Sequence, residues 1–289
     1  MKIFVTGATG FTGLRVVPLL LQNGFEVRCL YRATSDRSLL PQPEIEWTLG
    51  DVSDTQALSA AMHGTDALVN IASLGFGHAD SIITAAKSAG IERAVFISTT
   101  AIFTQLNASS KIVRVAAENA IQNSGLRYTI LRPTMIYGSD RDRNICRLIR
   151  WLGVLPFLPV FGDGNYLQQP IYVDDVAQAV VGCLASEKTI SKSYNIAGKH
   201  SVTYNHVIDT IAGQMGKRVW KIHVPSKPVV SVLRLLERIH LPFPIKSEQV
   251  LRLNENKDFS YAEAQSDFGF SPRSFEEGIK LELNNIIRS

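Results

Sequence analysis

Three glycines spaced three residues apart follow the first apolar run of the chain, in the stretch MKIFVTGATGFTG. Glycines at this spacing, between a strand and a helix, are typical of a loop that holds the pyrophosphate of a dinucleotide. In that setting Gly7 makes the tight turn, Gly10 lets the backbone approach the phosphates, and Gly13 lets the helix pack closely. The helix N-terminus adds free N–H groups and the positive end of its dipole. The alternative interpretation is a glycine-rich turn without a ligand.

The end of the second predicted strand bears on the choice of cofactor. It reads Leu30-Tyr31-Arg32, and the next carboxylate in the chain is Asp36. An acidic residue at this place would bind the ribose 2′-hydroxyl of NAD, whereas an arginine can accept the 2′-phosphate of NADP. Arg32 offers a planar fork of donors that suits a phosphate. We therefore expect NADP(H) in preference to NAD(H), and the alternative is a solvated surface arginine.

A row of arginines is the main candidate on the substrate side. Arg143, Arg147 and Arg150 recur at positions i, i+4 and i+7, so a helix would place them on one face. They could bind a diphosphate or form a solvated face, and Arg143 is kept as a candidate substrate residue.

Size, charge and cysteine content narrow the class of protein. With 289 residues, the chain can form one large α/β domain with a smaller one attached. The net charge of +4 is mild and no dense basic run is present, which argues against nucleic-acid binding. Cys29, Cys146 and Cys183 are scattered as in a cytosolic protein with reduced thiols, and no cysteine or histidine spacing supports a metal site. Without a signal peptide or an apolar run of about 20 residues, we expect a cytoplasmic protein.

Strands and helices alternate through the first half of the chain, with short joins between them. We predict strands over 2–6, 25–31, 44–49, 67–71, 94–98 and 128–131, and helices over 11–22, 54–62, 81–88 and 110–123. This alternation predicts an α/β fold with a doubly wound parallel sheet of the Rossmann type. The later part predicts helices over 141–151, 174–185, 204–215 and 232–239, with LGVLPFLPVFGDGN as a loop. We assign residues 1–138 and about 168–200 to a dinucleotide-binding domain, and 139–167 and 201–289 to a smaller C-terminal substrate lobe.

Taken together, these motifs resemble the short-chain dehydrogenase/reductase superfamily, in its extended and atypical branch of NAD-dependent epimerase/dehydratase-like proteins. The resemblance covers almost the whole chain and is carried by TGATGFTG, Gly50-Asp51-Val52, NIAS, FISTT, LRPTMIYG, YVDDVAQA and DFGFSPRSFEEGI. It implies cofactor contacts from Gly7, Thr9, Gly10, Phe11, Thr12, Gly13, Arg32, Asp51, Val52, Ile71, Ala72, Ser73, Thr99, Pro133 and Met135. The loop FGDGNYLQQP resembles the family loop that lines a nucleotide-sugar pocket, so Gln168 and Gln169 are candidates for contacts to a base or sugar.

The catalytic tyrosine of this family has no counterpart here. In the family, a Tyr and a Lys four residues apart act from the helix after the fifth strand. The Tyr moves a proton and the Lys binds the nicotinamide ribose. In this chain the two positions fall near Ser110 and Arg114, with Lys111 on the same helical face as Arg114. Thr100 matches the family's Ser or Thr; Ser98 and Thr99 are alternatives, and the family spacing favours Thr100 or Thr99 over Ser98. The resemblance therefore implies Thr100, Lys111 and Arg114 as the catalytic group.

Three interpretations of the missing tyrosine stay open. Lys111 or Arg114 could hold the ribose while Thr100 and another donor serve the substrate oxygen. The proton could pass through a water or through a tyrosine from elsewhere, such as Tyr137. Finally, the protein could bind NADP(H) without turnover.

The resemblance implies redox chemistry at a carbon that bears a hydroxyl or keto oxygen. The expected substrate is a nucleotide sugar or a similar compound, undergoing epimerisation, dehydration or keto reduction. The competing hypothesis is a non-catalytic NADP(H)-binding protein of regulation or complex assembly, and homodimer formation is a further hypothesis. Two apolar stretches with basic flanks, RLIRWLGVLPFLPV and KPVVSVLRLLERIHLPFPIK, are expected to pack as core or lid helices. Contact with a membrane surface is the less favoured alternative for them.

Overall fold

Alternating strands and helices build the molecule around one parallel sheet. The computed structural model describes residues 1–106, 108–142, 144–241 and 245–288. The strands are β1 (Lys2–Thr6), β2 (Glu26–Tyr31), β3 (Glu46–Leu49), β4 (Ala67–Asn70), β5 (Arg93–Ile97), β6 (Arg127–Pro133), β7 (Ile136–Tyr137), β8 (Phe157–Phe161), β9 (Leu167–Gln168), β10 (Ile171–Tyr172), β11 (Lys192–Ile196), β12 (Val202–Thr203) and β13 (Trp220–Val224). The helices are α1 (Gly13–Gln22), α2 (Thr55–Met62), α3 (Ala79–Ser88), α4 (Ser109–Gln122), α5 (Ile145–Val154), α6 (Val173–Ala185), α7 (Tyr204–Gln214), α8 (Ser226–Arg238), α9 (Ser247–Leu253), α10 (Ala262–Phe268) and α11 (Phe275–Arg288).

The main sheet has seven strands in the order β11-β6-β5-β4-β1-β2-β3, and every neighbouring pair is parallel. The direction of winding reverses between β1 and β4, so the carboxyl ends of these two strands border a crevice. This confirms the predicted doubly wound α/β fold.

Each face of the sheet has its own apolar core, because successive side chains of a strand point to opposite sides. Ile3 and Val5 of β1 pack with α1 and α6, whereas Phe4 packs with α2, α3 and α4. Helix α10 also packs with α6 and β11, although it lies in the segment that we assigned to the substrate lobe. The exact division into two domains stays a prediction.

The smaller lobe has a third core formed by α5, α7 and α11 on β8. Helix α5 begins at Ile145 and not at residue 141 as predicted. The reason is Asp142, whose carboxylate accepts hydrogen bonds from the backbone N–H groups of Asn144 and Cys146 and so fixes the first turn.

The prediction of a loop over LGVLPFLPVFGDGN was wrong, because this stretch contains β8. β8 pairs in parallel with β13, and the two form a separate two-stranded ribbon. Pro159 lies in the middle of β8, opposite Ile222. A two-stranded ribbon leaves each strand with one unpaired edge, where proline's missing N–H is tolerated. Among the described residues, no helix is both long and apolar enough to cross a bilayer.

Tyr137 is a packing residue and not the displaced proton donor that the sequence left open. Its side chain is 1% exposed, and its hydroxyl donates to the carbonyl of Phe275 at 3.3 Å. Burial is the main cause that raises the pKa of this phenol well above 10. Gly278 lies against the ring, and a Cβ there would overlap the Tyr137 hydroxyl.

One turn further along α11, Glu282 is fully buried and neither of its carboxyl oxygens has a hydrogen-bond partner among the described residues. Potential ligand atoms of Asp142, Cys146 and Glu282 lie within 4.8 Å of one another. Burial, followed by the neighbouring Asp142 carboxyl, raises the pKa of Glu282 to about 10. We infer that Glu282 is protonated in the folded protein. The spacing analysis missed this cluster because Glu282 is remote in sequence from the other two.

Replacing Glu282 by glutamine should therefore stabilise the protein at alkaline pH. The unfolded chain releases the Glu282 proton near pH 4.5, whereas the folded protein keeps it up to about pH 10. The stabilisation due to Glu282 is thus complete below pH 4.5 and is lost as the pH rises towards 10. We expect Glu282→Gln to raise the melting temperature by about 5 °C at pH 8, with little change at pH 4.5.

The matched control is Glu263→Gln, which alters an exposed carboxylate on α10 and should leave the melting temperature unchanged at both pH 8 and pH 4.5. Destabilisation by Glu282→Gln at every pH, or a lower wild-type melting temperature in EDTA, would contradict a neutral Glu282. The EDTA result would point instead to a bound cation.

Candidate functional site

The crevice between β1 and β4 is held together by a buried hydrogen-bond chain. Thr6, at the end of β1, donates from its hydroxyl to Oδ1 of Asn70 at the end of β4, over 2.6 Å. The Asn70 amide then donates to the carbonyl of Ala72 at 3.0 Å. Thr6 and Asn70 are both 0% exposed. These bonds fix the segment that follows β4 against the glycine loop. Thr6 and Asn70 begin the motifs TGATGFTG and NIAS, but the sequence did not indicate that they bond to each other.

The three glycines of this loop differ in how much room a side chain would have at each position. Gly7 has φ +72°, and a Cβ there would come within 2.8 Å of the Ala72 nitrogen. A Cβ on Gly13 would overlap the carbonyl oxygens of Gly7 and Ala8. At Gly10 the same atom would meet only the Gly7 oxygen, at 3.2 Å. Gly7 and Gly13 are therefore required by the protein's own backbone, whereas Gly10 borders open space.

That open space is lined by donors at the start of α1. The backbone N–H groups of Phe11, Thr12 and Gly13 have no backbone acceptor among the described residues. Thr12, at the N-cap position, makes no side-chain capping bond, and the first turn contains no acidic residue. Thr9 is half-buried in the same loop. A dinucleotide pyrophosphate fits this arrangement, because it supplies acceptors to unpaired N–H groups at the positive end of a helix.

Arg32 lies at the end of β2, exposed, and its guanidinium makes no hydrogen bond or ion pair with the described residues. Arg37, which sequence analysis overlooked, stacks over the ring of Tyr31 with 4.5 Å between its guanidinium carbon and the ring centroid. Asp51, in the loop after β3, accepts hydrogen bonds from the backbone N–H and the hydroxyl of Ser53. These bonds chiefly lower its pKa, and the nearby charge of Arg32 adds to the effect.

The remaining predicted cofactor residues follow the ends of β3, β4, β5 and β6. Val52 packs against the core under α2 and α3. Ile71, Ala72 and Ser73 follow β4 directly, and the Ser73 hydroxyl accepts from the Gly75 N–H at 3.2 Å. Other predicted residues of this set are Thr99 after β5, Pro133 at the end of β6, and Met135, which packs with Phe11 in the lobe core. The structure thus brings the predicted cofactor residues to one edge of the sheet.

The threonines after β5 already make hydrogen bonds within the protein. The Thr99 hydroxyl accepts from the Ala101 N–H at 3.2 Å and caps a 3₁₀ turn. Thr100 is 7% exposed, and its hydroxyl donates to the Pro133 carbonyl over a long 3.4 Å. Such a long bond is weak, so the Thr100 hydroxyl can turn towards another acceptor at little cost.

A buried ion pair positions α4 against the sheet. Arg132 of β6 binds the Glu118 carboxylate with two nitrogens, the shorter bond being 2.6 Å, and Ser98 donates to the same carboxylate at 2.5 Å. The Glu118 side chain is 4% exposed. Removing one partner of a buried pair typically costs about 3–5 kcal/mol. The pair therefore fixes the face of α4 that carries Lys111 and Arg114.

Those two cations differ in how much of their hydrogen bonding is satisfied. The Lys111 ammonium donates to the Thr104 carbonyl at 2.6 Å. The Arg114 guanidinium lies against Gly75 and makes no hydrogen bond or ion pair with the described residues. Burial lowers the pKa of Arg114, and the positive charge of Arg252 on α9 lowers it further. Two arginines, one from the sheet side and one from the lobe, thus lie close enough to repel each other.

Arg252 is a residue that sequence analysis missed. One of its terminal nitrogens pairs with Glu248 at 2.7 Å, but its buried Nε has no hydrogen-bond partner among the described residues. A buried N–H without an acceptor is costly, and two neighbouring guanidiniums repel. The Glu248 carboxylate already offsets part of the repulsion, and a second anion near Arg114 and Arg252 would relieve the rest and could accept from the unpaired Nε.

The predicted role of Gln168 and Gln169 conflicts with their surroundings. Both side chains are at most 4% exposed. The Gln169 amide donates to the Gly198 carbonyl at 2.9 Å and accepts from the Phe259 N–H at 2.7 Å. The Gln168 amide oxygen accepts from Lys257 at 3.1 Å. Their polar groups are used to hold the lobe together, which sequence spacing could not show. Arg143, the third predicted substrate residue, lies outside the described residues.

Lys257 and Glu255 join the lobe to the loop after β5. Burial lowers the pKa of Lys257 to about 8, and its ammonium donates to the carbonyl groups of Arg252 and Glu255 besides Gln168. The Glu255 carboxylate accepts from the Thr104 hydroxyl at 2.6 Å. An open cleft of about 630 Å³ lies beside this segment and is lined by Gln169, Lys199, His200 and Tyr261 among others. It does not include the glycine loop.

Alanine substitutions in the glycine loop should separate folding from ligand binding. Gly10→Ala requires a shift of only a few tenths of an ångström at the Gly7 carbonyl but fills the space for phosphates, so we expect a small decrease in melting temperature and at least about ten-fold weaker NADPH binding. Gly13→Ala displaces the loop itself and should lower both stability and affinity. Fluorescence titration with NADPH and thermal melting measure the two effects.

Gly213→Ala on α7 is the control, because a Cβ there meets nothing within 4 Å and alanine favours a helix. Unchanged NADPH affinity in Gly10→Ala would place the cofactor elsewhere.

Comparison with known sequences also indicates a site for a nicotinamide cofactor. Residues 7–187 match the model of a family described as NAD(P)H-binding. A 2-alkyl-3-oxoalkanoate reductase of Shewanella oneidensis is 26% identical, over 96% of this chain and 84% of that protein. The mitochondrial NADH dehydrogenase [ubiquinone] 1 alpha subcomplex subunit 9 of Arabidopsis thaliana is also 26% identical, over 87% of this chain and 67% of that protein.

Structure comparison gives the same fold. A UDP-glucuronic acid 4-epimerase of Bacillus cereus, in complex with UDP-glucuronic acid and NAD, superposes with a TM-score of 0.78 at 20% identity. The match covers 100% of this chain and 99% of that one. At this identity the likeness concerns the fold. The family match extends over more than half of the chain, and it bears out the resemblance drawn from the motifs. The chain therefore belongs to the NAD(P)H-binding family and binds a nicotinamide cofactor.

Proposed function

We propose that this protein is an NADP(H)-dependent oxidoreductase that acts at a hydroxyl- or keto-bearing carbon of an anionic substrate. A nucleotide sugar is the substrate class that we put first, and the expected reaction is epimerisation, dehydration or keto reduction. The observation that carries the proposal is the pair Arg114 and Arg252: their positive charges interact, Glu248 forms an ion pair with Arg252, and the buried Nε of Arg252 has no hydrogen-bond partner among the described residues. A diphosphate between them would supply the missing acceptors.

The residues around the crevice have distinct roles in this proposal. The free N–H groups at the start of α1 bind the pyrophosphate, and Asp51 and Val52 border the adenine. When bound, the dinucleotide supplies or accepts a hydride. Thr100 turns its hydroxyl from the Pro133 carbonyl to the substrate oxygen, and Lys111 or Arg114 positions the nicotinamide ribose. Lys111 has two N–H donors left for this purpose, because only one is used on Thr104.

The proton in this scheme comes from a water, since α4 contains no tyrosine and Tyr137 is buried in the lobe core. A cytoplasmic location and a homodimer stay predictions from the sequence.

Arg32 and Arg37 support the preference for NADP(H). Both lie at the end of β2, where a ribose 2′-phosphate would be bound, and Arg32 has no competing acceptor among the described residues.

Replacing Arg32 by aspartate should reverse the cofactor preference. The carboxylate would repel the 2′-phosphate and accept from the 2′-hydroxyl of NAD, so we expect at least about ten-fold weaker NADPH binding and stronger NADH binding. Calorimetric titration of both cofactors measures the change. Arg218→Asp, at an exposed position in the lobe, is the control for the altered charge. Equal affinity for the two cofactors in wild type and variant would refute the role of Arg32.

The second candidate function is a non-catalytic NADP(H)-binding protein of regulation or complex assembly. It is favoured by the absence of a tyrosine from α4, since loss of a proton donor typically lowers rates by about 10²–10⁴-fold. The similarity to a mitochondrial protein named as a subunit of NADH dehydrogenase also supports a role in complex assembly.

Turnover measurements with substrate-side variants should distinguish the two functions. We expect nicotinamide absorbance to change when keto-sugar nucleotides are added, with kcat about 10²-fold lower in Thr100→Val. Arg252→Met should raise KM for the nucleotide sugar by about ten-fold or more while kcat changes little, because the arginine binds a group remote from the reacting carbon. Lys188→Met, at an exposed position, is the matched control.

Tight NADPH binding with no turnover on any member of the panel would support the non-catalytic function. If turnover is unaffected by Thr100→Val, the protein is an enzyme but Thr100 is not one of its catalytic residues.

A further inference from the structure

The ribbon of β8 and β13 exposes a row of apolar side chains. Its register pairs Phe157 with Trp220 and Pro159 with Ile222, so these four residues are neighbours on one face. Trp220 is 79% exposed, Ile222 49% and Phe157 47%, and Pro159 is exposed as well. We call these four residues the ribbon patch. Residues alternating with them on β8 are buried in the lobe core, so the patch is the outer face of the ribbon.

Helix α8 carries a second exposed apolar row, which we call the helix stripe: Pro228, Val232, Leu235 and Ile239. The spacing of four, three and four residues keeps these side chains within about 60° of one another around the helix axis. Val232, Leu235 and Ile239 are each more than half exposed. The packing face of α8 is a different one, formed by Val230 and Leu233. The sequence analysis favoured core or lid packing for this helix, but the stripe is covered by none of the described residues.

The helix that carries the stripe packs against one end of the ribbon. Phe161 lies two residues after Pro159 and therefore on the same face of β8. Phe161 packs against the small cluster of Val230, Leu233 and Val250 under α8. Helix α8 thus covers the far end of the ribbon face, and the part left open is the ribbon patch.

Positive charge is concentrated around this surface. Lys227, Arg234 and Arg238 each directly precede a residue of the helix stripe, so a basic row runs along the apolar row. Residues 215–251, which leave out Arg252 of the candidate site, contain seven lysines and arginines against two glutamates, a net charge of +5. The whole chain carries +4, so the rest of the molecule sums to −1. The excess positive charge of the protein therefore lies in the segment that carries the exposed apolar groups.

We propose that the ribbon patch and the helix stripe bind peripherally to a membrane surface with anionic headgroups. Exposed tryptophan, phenylalanine and aliphatic side chains insert at the level of the headgroups, and the adjoining basic row binds lipid phosphates. Because the basic row is complementary to anionic headgroups, an anionic membrane fits this surface better than a neutral apolar partner does. No spanning helix is required, since the contact involves only the outer face of the lobe.

Sedimentation with lipid vesicles tests the proposal on the full-length protein without cofactor or substrate. Vesicles of phosphatidylcholine alone are compared with vesicles that contain about 30% phosphatidylglycerol. We expect binding to the anionic vesicles, little binding to the neutral ones, and loss of binding as the salt concentration rises. Because neither substrate nor cofactor takes part, the result is independent of the proposed enzymatic function.

Two variants separate the apolar from the electrostatic contribution. Trp220→Ser with Leu235→Ser should weaken the partition coefficient by about ten-fold or more. Arg234→Glu with Arg238→Glu should weaken it by about 30-fold. Ile112→Ser, 65% exposed on α4, and Lys188→Glu are the matched controls and should bind as wild type. Melting temperatures establish that every variant is folded.

Three results would overturn the proposal: no binding to anionic vesicles, equal binding to neutral ones, or wild-type binding by the Arg234→Glu and Arg238→Glu variant. A dimer in solution that dissociates on the Trp220→Ser and Leu235→Ser changes would show that a second copy of the chain covers this surface instead.

Discussion

The approach of α1 to the ends of β1 and β4 is the constraint on which the candidate site depends. The start of the helix lies directly against the Gly7 and Ala8 carbonyls, which leaves no room for a Cβ at Gly13. The loop in turn lies against Ala72, which the Thr6–Asn70 hydrogen bond holds in place. Because these contacts involve backbone, they cannot relax by a change of rotamer. The unpaired N–H groups are therefore presented at a fixed place in the crevice.

How much the sequence could predict depends on whether a feature is local. The glycine loop and the doubly wound sheet could be predicted from short motifs and from the alternation of strands and helices, because Gly10 and Gly13 meet only atoms of their own loop. Arg252 and Glu282 could not be found in this way, since each meets its partners across more than a hundred residues of chain. The motif predicted ligand contacts for Gln168 and Gln169, and only the structure shows that their amides are buried and already bonded within the protein.

Strand β8 shows how tertiary context overrides local signals. Pro156 before it, Pro159 within it and the nearby glycines indicate a loop, yet pairing with β13 makes it a strand. The pairing partner is some sixty residues away and was itself not predicted. The same ribbon then determines which apolar residues of the lobe are buried and which are exposed, and this could not be decided from hydropathy alone.

The contact of Glu255 with the loop after β5 has a consequence for movement of the molecule. Its carboxylate accepts from the Thr104 hydroxyl and from the Gln105 N–H, so a single acidic side chain fastens the lobe to the rim of the crevice. Any swing of the lobe that widens the crevice on this side must break both bonds together. Opening of the crevice on this side therefore costs two hydrogen bonds to one carboxylate, which favours the closed position of the lobe.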